Sequence, residues 1–149
     1  MDFLTEATTI DIAIVCSDFE ASLDFYTRVL ELPIHEEVEI PERLAVPSGL
    51  APGAFRHVRL RAGSSLIKLM QITPSPAERG RDFAAGVRWL TFQVTNLEDT
   101  VARLEARGVT FLSPPIRGLA GYFACAEAPD GLILEFVERF PDPGALPMG

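Results

Sequence analysis

The sequence predicts an α+β fold in which two β-α-β-β-β modules follow each other along the chain. Two observations predict it: a strand-and-helix pattern that begins at Ile10 recurs at Arg88, 78 residues later, and each copy ends in a hairpin of two strands. The 149 residues, 48% of them hydrophobic and 23% charged, are typical of a globular chain with its own core. This composition excludes a disordered chain and a disulfide-built miniprotein.

The first module is assigned to residues 8–72. Its opening run is rich in β-branched residues, as strands are, and Asp18 is placed to cap the helix that follows. Phe19, Leu23 and Tyr26 are spaced by four and three, so they share one helical face. The helix is expected to end near residues 30–33. Three strands are then predicted at residues 34–40, 56–61 and 66–72, with a loop at 46–54 and a turn at 62–65.

The second module is assigned to residues 87–140. Asn96 is the corresponding helix cap, Leu97, Val101 and Leu104 repeat the apolar spacing, and Gly108 is expected to end the helix. Later strands are predicted at residues 109–112, 122–127 and 132–137, with a loop at 114–121. The segment 73–86 is predicted to link the modules, and 141–149 to form a flexible tail, so that residues 1–149 make one domain.

Two motifs connect this pattern with a known family. Residues 18–26 read Asp-Phe-Glu-x-Ser-x-x-Phe-Tyr, and residues 129–135 read Pro-Asp-Gly-x-x-x-Glu. Together with the two modules they resemble the vicinal oxygen chelate (VOC) superfamily of glyoxalases, bleomycin-resistance proteins and extradiol dioxygenases. The resemblance covers residues 10–139 and implies a mixed β-sheet that curls into a cup. It also implies a homodimer. Because the fold carries many chemistries, the resemblance leaves the reaction open.

The resemblance implies a divalent metal held at four cup-facing strand positions. Alignment on the motifs puts Asp11, Lys68, Trp89 and Glu135 at those positions. The carboxylates offer oxygen ligands, but an indole binds no metal and a protonated lysine repels one. Two carboxylates alone make a poor site for Zn²⁺, Fe²⁺ or Mn²⁺. We therefore expect no cofactor, and a metal on Asp11 and Glu135 is the less favoured alternative.

Strand alternation predicts which other side chains line the cup. The candidate catalytic set is Glu135, Lys68, Asp11 and His57. Lys68 would take over the metal's electrostatic role beside a developing enolate, with a purely structural salt bridge and a Schiff-base lysine as alternatives. The candidate substrate-binding residues are Trp89, Arg59, Met70, Thr91, Gln93 and Tyr122. Tyr122 is predicted to face the cup and Cys125 the core.

Three functions are consistent with these residues. The first is an isomerase, epimerase, cyclase or lyase that works next to a carbonyl with side-chain acid/base groups. The second is a metal-free drug-binding protein of the bleomycin-resistance kind, in which Trp89 stacks on a cationic aromatic ligand. The third is a metal-dependent glyoxalase-like lyase or dioxygenase.

Charge and hydropathy limit the classes of partner that this protein is expected to bind. A net charge of −8 disfavours nucleic acid, and no apolar run approaches the ~20 residues of a membrane helix. The N-terminal residues lack the pattern of a signal peptide, and two cysteines without metal-ligand spacing are typical of free thiols. We expect a cytoplasmic protein with a small-molecule ligand.

Overall fold

A computed structural model describes residues 9–80 and 82–141 of the chain. It divides into two compact units, Met1–Arg79 and Gly80–Gly149, with a boundary inside the predicted linker. The predictions for residues 1–8, and for the tail from residue 142 onward, lie outside the described residues.

The first unit has the β-α-β-β-β order with one additional helix. Its elements are β1 (Ile12–Val15), α1 (Phe19–Asp24) with a π-helical turn (Phe25–Val29), β2 (Ile34–Ile40), α2 (Glu42–Ser48), β3 (Phe55–Ala62) and β4 (Ser65–Gln71). The sheet order is β1-β4-β3-β2, with β1 parallel to β4 and the other neighbours antiparallel. The outer strand β2 carries exposed acidic side chains and an irregularity between Ile34 and Glu36.

One face of this sheet packs against α1 to form the core. The helix begins as predicted, because the Asp18 side chain accepts a hydrogen bond from Ala21 N at 3.1 Å. Tyr26, on the π-helical turn, is fully buried, as are Val58, Leu60 and Leu69 of the sheet. Each such side chain contributes about 1.5–3 kcal/mol by leaving water. The alternate residues of β3 and β4 therefore lie on the opposite face of the sheet.

The second unit repeats this architecture. It contains β5 (Trp89–Gln93), α3 (Leu97–Ala106), β6 (Ile116–Arg117), β7 (Gly121–Glu127) and β8 (Ile133–Arg139), in the sheet order β5-β8-β7-β6. Asn96 caps α3 by accepting from Asp99 N at 3.0 Å. Leu97, Val101 and Leu104 are buried, as predicted from their spacing.

Two predictions about local structure are wrong. Residues 109–112 do not form a strand, since only an isolated bridge joins Phe111 to Ala126, and the strand β6 lies within the predicted loop 114–121 instead. The predicted loop 46–54 begins inside α2, which Gly49 ends in the left-handed conformation with φ 75°. Ala45 of α2 is buried against Phe55 and Met70, and this tertiary contact stabilises a helix that contains Pro47.

No helix in the described part of the chain is long and apolar enough to cross a membrane.

Candidate functional site

In the first unit, the predicted site residues share the sheet face that points away from α1. In the β3–β4 register His57 pairs with Met70 and Arg59 with Lys68, while Val58 and Leu60 point to the helix, as predicted. Met70 is only 6% exposed because it packs against Ala45 and Phe55. It therefore serves the core and presents little surface to a ligand.

His57 is held neutral by its surroundings. Burial lowers the pKa of its imidazole, and the charges of Arg59 and Lys68 lower it further. Its Nε2 accepts a hydrogen bond from Arg59 Nε at 3.2 Å, so this nitrogen carries no proton. The lone pair that a general base would use is already occupied. The geometry thus weakens the prediction that His57 is catalytic.

Lys68 is the single lysine of the sequence. Its Nζ lies 3.8 Å from Asp11 Oδ2, an ion pair that is too long for a hydrogen bond. The other oxygen of Asp11 accepts from Leu66 N at 3.0 Å and so fixes the start of β4 beside β1. Asp11 therefore has a structural role in strand pairing as well as a charge beside Lys68.

In the second unit, Trp89, Thr91 and Glu135 form a hydrogen-bonded chain. Trp89 Nε1 donates to Thr91 Oγ1 at 3.2 Å, and Thr91 Oγ1 donates to Glu135 Oε1 at 2.7 Å. The direction is fixed, because an indole N–H only donates and an ionised carboxylate only accepts. Trp89 and Thr91 are neighbours on one face of β5, and β5 pairs in parallel with β8, which sets Thr91 beside Glu135. The chain orients both the indole and the carboxylate.

These side chains line an open cavity of about 550 Å³. Trp89 is 57% exposed, so its ring is accessible rather than part of the core. Gln93 and Val137 continue the wall along β5 and β8, and Phe123 contributes an aromatic surface from β7. The segment that precedes β7 and Arg139 complete the lining. The volume suits a drug-sized ligand.

The predicted orientations of Tyr122 and Cys125 are wrong. The β7–β8 register sets Cys125 opposite Glu135 and Tyr122 opposite Glu138, so Cys125 shares the face of Glu135 and Tyr122 lies on the other face. Tyr122 packs against Phe140 and accepts from Arg117 Nη1 at 3.0 Å. Burial and the nearby charge of Glu135 raise the pKa of the Cys125 thiol, which is unsuited to a nucleophile. Counting outward from the turn at Gly131 would have given the correct orientation.

The residues at the superfamily's metal positions do not fit a metal. In the first unit an ammonium stands beside Asp11, and in the second an indole stands near Glu135, joined to it through Thr91. Within residues 9–80 and 82–141, no three histidine, cysteine, aspartate or glutamate side chains come together as a ligand set. A hard divalent ion would find one carboxylate and one repelling cation on the first sheet.

Comparison with known proteins establishes the family. The Glyoxalase/Bleomycin resistance protein/Dioxygenase superfamily model matches residues 10–136, and the chain belongs to this superfamily. Uncharacterized protein YwkD of Bacillus subtilis (strain 168) is 34% identical over 131 residues, which cover 86% of this chain and 94% of that one. Uncharacterized protein YaeR of Escherichia coli (strain K12) is 30% identical, with 86% and 93% covered.

Solved structures share the fold. A glyoxalase family protein from Enterococcus faecalis superposes with a TM-score of 0.69 at 25% identity, covering 91% of this chain and 99% of that one. TnmS3, an antibiotic binding protein from Streptomyces sp. CB03234, has a TM-score of 0.66 at 18% identity, with 91% and 99% covered. A trypanothione-dependent glyoxalase I from Leishmania major has a TM-score of 0.65 at 18% identity, with 89% and 87% covered. Binding proteins and enzymes thus occur on this fold, so the chain's own site decides between them.

Proposed function

We propose that this protein binds a small aromatic cation, without a metal, on the open sheet face of its second module. The observation that carries the proposal is the oriented chain Trp89–Thr91–Glu135 beside a drug-sized cavity. The ligand would be sequestered unchanged, as in a metal-free resistance protein.

Trp89 supplies the aromatic platform. Its ring is more than half exposed, and its N–H is engaged by Thr91, which limits rotation of the indole. A cation over the face of tryptophan gains about 0.5–2 kcal/mol from the ring quadrupole. Pre-orientation lowers the entropy cost of stacking, which favours binding.

Glu135 supplies the counter-charge. Thr91 donates to Oε1 of the carboxylate, which leaves Oε2 as the atom that we expect to meet the ligand. A partly buried carboxylate beside an exposed indole selects for a ligand that is both aromatic and positively charged. The net charge of −8 attracts such ligands from a distance.

The acid/base enzyme is the second candidate, and one observation favours it. Thr91 positions Glu135 as a carboxylate aimed by a hydrogen bond, which is what a general base requires. The other predicted members of the set are engaged elsewhere: Asp11 with Leu66 N and Lys68, and His57 with Arg59. A binding role requires only the Trp89–Thr91–Glu135 chain and the cavity beside it, and for this reason we favour it.

The test uses N-methylquinolinium and its uncharged parent quinoline as probes. Trp89 is the single tryptophan of the chain, so tryptophan fluorescence reports on this site alone, and titration calorimetry gives the affinity. We expect the cation to bind and quinoline to bind much more weakly. W89A should lower the affinity about tenfold, and E135Q should lower it by a similar factor.

Two control variants accompany this test. W89F retains an aromatic face and should bind within a few-fold of the wild type. E105Q removes an exposed carboxylate of α3 and should leave the affinity unchanged. Equal binding of quinoline and the cation, or W89A equal to wild type, would refute the proposal. Glu135-dependent exchange of hydrogens next to a carbonyl for solvent deuterium would favour the enzyme instead.

A further inference from the structure

Two basic side chains lie side by side on the sheet face of the first module. Lys68 of β4 stands directly across from Arg59 of β3 in the antiparallel register. Like charges in such a position repel each other. The side chains are 27% and 28% exposed, so both cations have lost much of their hydration. A pair of this kind is stabilised by negative charge nearby.

Each cation has one carboxylate partner in the protein, but these partners do not use all of its hydrogen-bond donors. Asp11 Oδ2 lies 3.8 Å from the Lys68 ammonium, and the other oxygen of Asp11 accepts a hydrogen bond from Leu66 N. Glu36 accepts from Arg59 Nη1 at 2.6 Å, and Arg59 Nε is turned to His57. Among the described residues, no hydrogen bond is found for Lys68 Nζ or for Arg59 Nη2, so both groups keep protons that a ligand can accept.

We infer that Lys68 and Arg59 bind the carboxylate of a small organic acid on the open sheet face of the first module. On the β1 side, this face continues with apolar residues: Ala13 is the partner of Lys68, and Val15, two residues further, is 48% exposed. A carboxylate would take hydrogen bonds from both cations, while its organic part would cover Ala13 and Val15.

The charge balance favours a monoanion over phosphate. His57 beside the pair is neutral and adds no positive charge. Arg59 is already partly neutralised by Glu36, and a chain of net charge −8 repels a dianion more strongly than a monoanion. A carboxylate needs two donors, which is what the pair supplies.

The charge at this site is opposite in sign to the charge that a metal ligand of the superfamily would carry. Where the resemblance implies a ligand to a cation, the chain has an ammonium and a neighbouring guanidinium. In a metal-containing member, the metal would bind an oxygen of the ligand. Here, the hydrogen-bond donors of Lys68 and Arg59 would bind that oxygen directly. The inference concerns the first module and is independent of the cation site proposed for the second.

The experiment uses the single lysine as its reporter. Reductive methylation with ¹³C-formaldehyde gives one dimethyl-lysine NMR signal, distinct from that of the N-terminal amine. The probes are benzoate, its neutral isostere benzamide, and inorganic phosphate. We expect benzoate to shift the Lys68 signal in a saturable way, and benzamide and phosphate to leave it nearly unchanged.

Calorimetry on unmodified variants completes the test. K68M should weaken benzoate binding about tenfold, the size of a charge-assisted hydrogen bond, while K68R should retain most of the affinity. D11N should bind benzoate a few-fold more tightly, because it removes the competing charge and its amide oxygen still accepts from Leu66 N. R28M is the matched control, since it also removes one positive charge, from an exposed ion pair on the helical side, and should bind as the wild type does.

Several results would overturn the inference. These are equal binding of benzoate and benzamide, tighter binding of phosphate, K68M equal to R28M, or no carboxylate binding up to tens of millimolar. If K68M does not fold, loss of affinity in D11N overturns it in the same way. Binding of N-methylquinolinium to K68M reports separately on the second module.

Discussion

The imidazole of His57 is neutral because burial and two positively charged neighbours disfavour its charged form. It is 6% exposed, Arg59 donates to its Nε2, and Lys68 adds a second positive charge nearby. A proton on Nε2 would face the Arg59 guanidinium at hydrogen-bonding distance. At the scale of single residues, this histidine orients an arginine.

The lowered pKa of His57 predicts a pH dependence of stability. Above about pH 6.5, the ordinary histidine pKa, His57 is neutral in the folded and unfolded states. Below it, the unfolded chain binds a proton that the folded chain does not bind until the pH reaches the lower folded-state pKa. The free energy of unfolding therefore decreases as the pH is lowered. H57Q removes this contribution and keeps an acceptor for Arg59. Urea unfolding at about pH 7.5 and about pH 5.5 should show a smaller loss for H57Q than for the wild type.

His35 gives the control for that measurement. It is exposed and contacts Arg61 Nη2 through Nδ1 at 2.7 Å. H35Q removes this exposed histidine, so that comparison with H57Q separates the effect of burial from the loss of an imidazole as such. If H57Q and H35Q behave alike, burial of His57 has no part in the pH dependence.

At the scale of elements, the β7–β8 hairpin depends on a glycine at the end farthest from its turn. Gly121 begins β7 opposite Arg139, and a Cβ there would lie 2.8 Å from Arg139 Cα and also collide with the Glu138 carbonyl oxygen. Both obstacles are backbone atoms, so no side-chain rotation relieves them. Gly121 and Arg139 also line the cavity beside Trp89.

We expect G121A to destabilise the protein by about 1–3 kcal/mol, the usual cost of overpacking a closed site. Urea denaturation measures this loss directly. G53A is the matched control, because nothing lies within 4 Å of its added Cβ and its φ is not in the left-handed region. Equal stability of the two variants would contradict the steric argument.

The elements show what a sequence specifies locally and what it does not. The strand at residues 34–40 and both helix caps were predicted, since alternation and Asp or Asn caps are local signals. The helix α2 was missed, because Pro47 and Gly49 favour a loop equally well and the helix is stabilised by Ala45 against Phe55 and Met70.

For the site residues too, local sequence signals predicted some features, while others depend on tertiary contacts. Alternation predicted that His57 and Arg59 turn away from the helix. It gave no sign that His57 Nε2 would accept from Arg59, or that Thr91 would join Trp89 to Glu135, because such bonds depend on side-chain rotamers and on strand register. Tyr122 was misassigned because a shift by one residue reverses every side chain of a strand.

At the scale of the whole molecule, the net charge of −8 acts on every charged ligand. Salt screens this long-range field, whose reach falls to about 8 Å at physiological ionic strength. Raising sodium chloride from about 20 mM to about 200 mM should weaken N-methylquinolinium binding several-fold. Titration calorimetry at both salt concentrations checks this, and an affinity that does not change would assign the binding to stacking alone. Homodimer formation stays a prediction.

The outer strand β2 has a consequence for how copies of the chain meet. A strand edge with free backbone groups is a template for another polypeptide, and such pairing is a route to aggregates. Here three glutamates, Glu36, Glu37 and Glu39, are exposed along that edge, and the irregularity after Ile34 interrupts its regular spacing. An incoming copy of the same strand would set carboxylate against carboxylate. The charge of this edge thus opposes edge-to-edge pairing of two copies of the chain.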